Sequence, residues 1–213
     1  MKANARLRLF TILLAGAVAL PSLAFDYPMS SSSIRDAYML GKRKDFRTAE
    51  FLAPYTHYLP MPETGPHVAT ISVETPYAQV VELGQDALNP DVQRAEQEFA
   101  DKPFPFIVRV GIDMTDTYPG PPPWNPRAPG LPIPDFQRDF DIQVTQSKKI
   151  PAKSTQVYLL YSDAVANIYQ ISGAILELQY DADKIDSYDD VTIKVHTPDD
   201  QNLESTFDLG HPR

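Results

Sequence analysis

The chain has no cysteine. That removes disulfides, thiol nucleophiles, thiolate metal sites and a lipid-modified N-terminal cysteine from consideration. It is also short of cations: 19 lysines and arginines stand against 28 aspartates and glutamates, a net charge of −9. A phosphate-binding surface needs clustered basic residues, so nucleic acid and anionic membrane surfaces are disfavoured as partners. Tryptophan occurs once, at Trp124. Beyond residue 24 no apolar run approaches the roughly 20 residues that cross a bilayer. Catalytic signatures are missing as well: there is no G-x-S-x-G elbow, no S-x-x-K with its partner motifs and no P-loop. No repeat recurs at a fixed period, which excludes solenoids and propellers.

What the chain does have begins at its N-terminus. Lys2, Arg6 and Arg8 form a basic start, Leu9 to Leu20 is a mostly apolar run, and Ser22-Leu23-Ala24 gives a small-x-small ending. This is the pattern of a cleavable signal peptide over residues 1–24, too short for a membrane anchor. The working protein is therefore expected to begin at Phe25 and to be secreted or periplasmic. The leader holds basic residues and no acidic ones, so the remainder is more acidic still. A protein of this length can bury a core by packing alone.

Residues 25–66 read as a helical, proline-rich N-terminal segment. After a polar leader over 25–33, Ser33 with Asp36 three residues on suggests a helix start. Ile34, Ala37, Tyr38 and Met39 would form its apolar side, and Gly41 its end. A second helix is expected after Asp45, burying Phe46, Ala49, Phe51 and Leu52 and stopping at Pro54. Residues 54–66 contain four prolines and a glycine and read as a connector.

From residue 67 to 213 the pattern is that of a β-sandwich domain. Ala69, Ile71 and Val73 alternate with polar residues; so do Phe106 to Ile112, Phe140 to Val144, Val157 to Tyr161, Leu176 to Tyr180 and Val191 to Val195. Tyr169 to Ile171 and Ser205 to Leu209 suggest two further short strands. Tyr77 to Leu83 fits a helix or a strand. Asn89-Pro90-Asp91 starts a surface helix near residues 90–100. Half-buried antiparallel strands with turns between them imply two packed sheets. The expected fold is mainly β, an antiparallel sandwich of Ig-like general architecture with two or three short N-terminal helices.

Two segments carry candidate sites. Residues 117–135 hold eight prolines between Pro119 and Pro134, around Trp124. They read as a stiff proline-rich loop that could present Tyr118 and Trp124 to a sugar ring or a partner's groove. The plainer reading makes Trp124 a plug at the sandwich edge. The second segment gathers Asp181, Asp183, Asp186, Asp189 and Asp190. Calcium takes such hard oxygen ligands, and it is the one candidate metal. The spacing fails the EF-hand pattern, with Ile185, Asp186 and Thr192 where an oxygen ligand, a glycine and a glutamate belong. A solvated hairpin connection explains the stretch more simply. His57, His67, His196 and His211 lack zinc-site spacing, and Lys42-Arg43-Lys44 fits the end of a helix.

A stable β scaffold without a catalytic motif, bearing a stiff aromatic loop, favours a non-enzymatic binding or accessory protein with a protein or carbohydrate partner in the cell envelope. A carboxylate-based polysaccharide hydrolase is the first alternative, because the spacing of its two carboxylates is set by the fold and leaves no motif. A structural subunit of an envelope assembly is the second, and an exposed apolar patch on Tyr38, Phe46 and Phe51 would favour it. No cofactor is implied by any motif.

Overall fold

A computed structural model describes residues 25, 27–60, 66–86, 91–100, 104–120, 122, 125, 135–165 and 168–210. The signal segment and Trp124 lie outside the described residues.

The chain opens with two helices, α1 (Ser31–Arg43) and α2 (Phe46–Leu52). The cap of α1 is Ser30, not Ser33: its hydroxyl accepts the Ser33 N–H at 3.1 Å. The helix also runs past Gly41, ending at Lys44 in the left-handed conformation (φ 50°). Asp45 caps α2 as its sequence suggests, accepting the Arg47 N–H at 3.0 Å. The buried residue of α2 is Thr48, whose hydroxyl donates to the Leu40 carbonyl at 2.7 Å, whereas Phe46 is 71% exposed. A tight turn over Ala53–Tyr55 leads to β1 (Thr56–Tyr58), then β2 (Pro66–Glu74). The stretch read as a connector thus supplies an edge strand, too short to show alternation.

Tyr77 to Leu83 belongs to helix α3 (Pro76–Asp86). Thr75 caps it through Ala78 N–H at 3.1 Å, and Pro76 takes the first helical position. Helix α4 (Val92–Ala100) follows, capped by Asp91. Then come β3 (Phe106–Gly120), α5 (Phe136–Asp139), β4 (Asp141–Thr145), β5 (Lys149–Ile150), β6 (Ser154–Val165), β7 (Ile168–Tyr180), β8 (Val191–His196) and β9 (Asn202–Phe207). The two short strands expected at Tyr169 and Leu176 are one continuous β7.

These strands form two antiparallel sheets, one ordered β1-β2-β3-β7-β6 and the other β5-β4-β8-β9. Their facing sides share one core. Val73, Val108, Val110 and Leu176 enter it from the first sheet, Val144, Ile193, Val195 and Phe207 from the second. Most of the alternating residues named in the sequence are therefore the inward ones of a sandwich, but Val157 is exposed, and a bulge between Val68 and Thr70 buries Val68 in place of Ala69. The N-terminal segment is tied to it. Phe25 is buried with its ring 6.0 Å from that of Phe106, and β1 pairs with β2. A second apolar cluster joins Ile34, Ala37 and Tyr38 of α1 to Tyr77, Val80 and Val81 of α3 and Ala95 of α4. Phe51 packs against both clusters, 5.6 Å from the Tyr55 ring and 5.4 Å from that of Tyr77.

The first four residues of the proline-rich segment are not loop. Tyr118, Pro119 and Gly120 pair with Ile171, Gln170 and Tyr169 of β7. β2 pairs with β3 only as far as Met114, so the end of β3 is an edge among the described residues. A proline without an N–H is tolerated there.

Candidate functional site

The outer face of the five-stranded sheet carries a charged network. Arg109 of β3 sits directly opposite Glu177 of β7 and diagonally from Glu74 of β2. Its guanidinium pairs with both carboxylates, at 3.0 Å to Glu177 Oε2 and in close contact with Glu74 Oε1. Both glutamates are buried, and a buried carboxylate needs such a partner to stay ionised. Gln179 Nε2 donates to the other Glu177 oxygen at 3.1 Å, and Gln179 Oε1 accepts the Ser154 hydroxyl at 3.3 Å. These bonds fix the orientation of the Gln179 amide.

Gln179 and Ser154 also line a cleft of about 380 Å³ at that end of the sandwich. Its aromatic walls are Tyr27 and Phe104, and Tyr180 lies beneath. The Phe104 ring rests 5.2 Å from Phe99 of α4. Burial pushes the Tyr180 phenol well above its ordinary pKa. Lys153, Asp181 and Asp183 add charge to the rim. Asp181 accepts from Lys184 Nζ at 2.7 Å and pairs with Lys153 Nζ at 3.1 Å. The hydrogen bonds from Lys184 and then Lys153 hold its carboxyl below the usual aspartate range. The rim itself has one lysine against two aspartates, and Lys184, outside the cleft wall, supplies the second cation through its pair with Asp181.

A smaller cleft of about 250 Å³ lies between the start of β2 and the β8–β9 turn, with His67, Thr197, Asp199 and Gln201 on its walls. Hydrogen bonds from Thr197 and Gln201 keep the Asp199 carboxyl below its ordinary value. Ligand cavities run to about 300–1,000 Å³, which favours the larger cleft.

Of the described residues singled out in the sequence, Asp181 and Asp183 line the larger cleft; Tyr118 and the other aspartates of the acidic stretch do not. Tyr118 lies near the far end of β3 from Phe106, up to roughly 40 Å along the strand at about 3.3 Å per residue. Trp124, named with it as a candidate ligand-binding residue, lies outside the described residues. In the acidic stretch several oxygens already have partners. Residues 181–190 connect β7 of one sheet to β8 of the other, so they are a crossover and not a hairpin. Asp181 is engaged with two lysines. Asp186 Oδ1 accepts the Tyr188 N–H at 2.9 Å. The Gln146 amide donates to the carbonyls of Asp186 and Asp189, at 2.8 and 3.1 Å, taking up oxygens a cation would need. Among the described residues no three carboxylate or histidine side chains, Asp183 and Asp190 included, gather around one point.

The remaining candidates have local duties. His57 stacks on Phe207 at 4.3 Å, and His196 Nδ1 meets Asn202 at 3.2 Å. Arg43 pairs with Asp45 at 2.9 Å at the end of α1. Tyr38 is buried and Phe51 half-buried, so of these three only Phe46 is exposed. Apart from Asp181 and Asp183, the cleft residues escape the sequence reading, because they come from separate stretches at positions 27, 104, 153 and 179–183 with no motif to link them.

No family model and no curated protein matches the chain. Among solved structures it is similar to the IgNAR antibody domain C1, with 9% identity over 71% of this chain and 99% of that one, at a TM-score of 0.30. It is also similar to the archaellum periplasmic stator protein FlaG from Sulfolobus acidocaldarius, with 10% identity over 50% of this chain and 88% of that one, at a TM-score of 0.28.

Proposed function

We propose that the chain is a secreted or periplasmic, non-enzymatic binding or accessory protein that holds a neutral, hydroxyl-rich ligand such as an envelope carbohydrate in the cleft between Tyr27, Phe104 and Gln179. The observation that carries this reading is the composition of the cleft. It pairs aromatic walls with a fixed amide, a serine hydroxyl and a rim that has no excess of cations. Aromatic rings suit the apolar face of a sugar, and few, oriented polar groups give a pocket its selectivity. An anionic ligand would meet no surplus cation at this rim. The basic start, short apolar run and small-x-small ending of residues 1–24 support export.

The carboxylate-hydrolase alternative gains nothing from the network beside the cleft. Glu74 and Glu177 face one guanidinium and are committed to it. Co-sedimentation of the purified protein with insoluble envelope polysaccharide tests the proposal. Retention of the wild type, lost in Tyr27→Ala and in Gln179→Ala, is expected. Equal retention of all three proteins, or none of the wild type, overturns it. Release of new reducing ends would replace binding with hydrolysis.

A further inference from the structure

Sheet edges decide what a β-protein can meet, because an unpaired edge is a template for another strand. Among the described residues the outermost strands of the two sheets are β1, β6, β5 and β9, and the end of β3, an edge as well, carries Pro119. Three of the four outermost strands are blunted. β1 has three residues and Pro60 soon after it, and β5 has two residues and then Pro151. β9 has six residues and carries Glu204, paired with Lys194 at 3.1 Å.

β6 has none of these devices. It runs for 12 residues, and from Ser154 to Ser162 it contains neither a charge nor a proline. Its register with β7 slips between Leu160 and Tyr161, but the extra residue, Ser172, is on β7, so β6 stays regular over this stretch. Two of the exposed large hydrophobic residues, Val157 and Tyr158, are adjacent on it at 37% and 47% exposure.

We infer that β6 is a homodimerisation strand, joining two copies of this chain antiparallel about a two-fold axis at Tyr158. The regular, uncharged stretch is symmetric about that residue. Pairing it with itself sets Ser154 against Ser162, Thr155 against Tyr161, Val157 against Leu159, and Tyr158 against Tyr158. Lys153 and Asp163, the charges that bracket the stretch in the sequence, fall opposite each other twice. The chain has a net charge of −9, and like charges set opposite each other are destabilising across a strand pair. This register opposes none, and an isologous interface needs such self-complementarity. The stretch starts at the cleft, where Lys153 and Ser154 belong to both sites, but the pairing requires no ligand there.

Sedimentation of the purified protein tests it. The wild type is expected to be a dimer that dissociates on dilution. Tyr158→Lys and Tyr158→Glu should each be monomeric while melting at the wild-type temperature, since the side chain is half exposed. An equal mixture of the two should recover the dimer, because lysine then faces glutamate across the axis. Tyr58→Lys, on β1, should dimerise as the wild type does. A wild type that is monomeric at every concentration overturns the inference and leaves the edge to a foreign strand. So does a dimer that Tyr158→Lys and Tyr158→Glu both retain, or a mixture that stays monomeric.

Discussion

Gly41 of α1 and Gly84 of α3 meet where the two helices cross. A Cβ placed on Gly41 would stand 1.9 Å from the Val81 carbonyl oxygen, and one on Gly84 would stand 2.5 Å from that of Tyr38 and 3.2 Å from the Gly41 Cα. The backbones touch, so neither position has room for a methyl group. Alanine would gain about 1 kcal/mol in helix propensity over glycine. The expected outcome is nevertheless a loss of about 1–3 kcal/mol in Gly41→Ala, because the helices must separate. Urea unfolding measures it. A stabilised variant would show that the helices do not cross at this point.

Arg109 holds two buried carboxylates. Arg109→Met should lower stability by about 3 kcal/mol, the low end for breaking a buried ion pair, since the arginine side chain is itself 36% exposed. Adding Glu74→Gln and Glu177→Gln should recover most of that loss, because the stranded charges are then gone. Urea midpoints for the single and triple variants decide the point. A single variant as stable as the wild type would mean that the carboxylates do not depend on this guanidinium.

Glu82 sits on α3 one turn before Asp86, and burial, then repulsion from Asp86, raises its carboxyl pKa. The unfolded chain has the lower, ordinary value. Relative stability from this group is thus fully present below the unfolded pKa and is lost as pH rises through the folded one. Glu82→Gln should therefore stabilise the protein at neutral pH and make little difference at the acid end. Thermal melts across that range check the sign. A variant less stable at pH 7 than the wild type would contradict it.

How far the sequence carries can be read from these residues. Strand alternation at Phe106 to Ile112 and Val191 to Val195 marks the inward faces correctly, because one side of each strand is dry. Short strands such as β1 and β5 carry no periodic signal, and only pairing partners reveal them. Tyr77 to Leu83 is apolar enough for either element, although Thr75-Pro76 already encoded the helix cap. Gly41 looks like a helix stop because glycine usually ends helices, but here it serves a close crossing that depends on Gly84, far along the chain. The acidic stretch after β7 is visible as composition, but which lysines and amides occupy it is a matter of tertiary contact. The cleft is assembled from four separate segments, so its aromatic and polar residues cannot be associated before the chain is folded.

The central claim is that the cleft beside Tyr27 and Gln179 takes a neutral sugar-like ligand. Amide chemical-shift mapping tests it most directly, with soluble oligosaccharide released from cell envelopes as the titrant. The account predicts saturable shifts confined to Lys153, Ser154 and the run from Gln179 to Asp183, with Tyr118 and the β8–β9 turn unmoved and the titrant recovered intact. An unchanged spectrum, or shifts centred on the smaller cleft around His67 and Thr197, would contradict it.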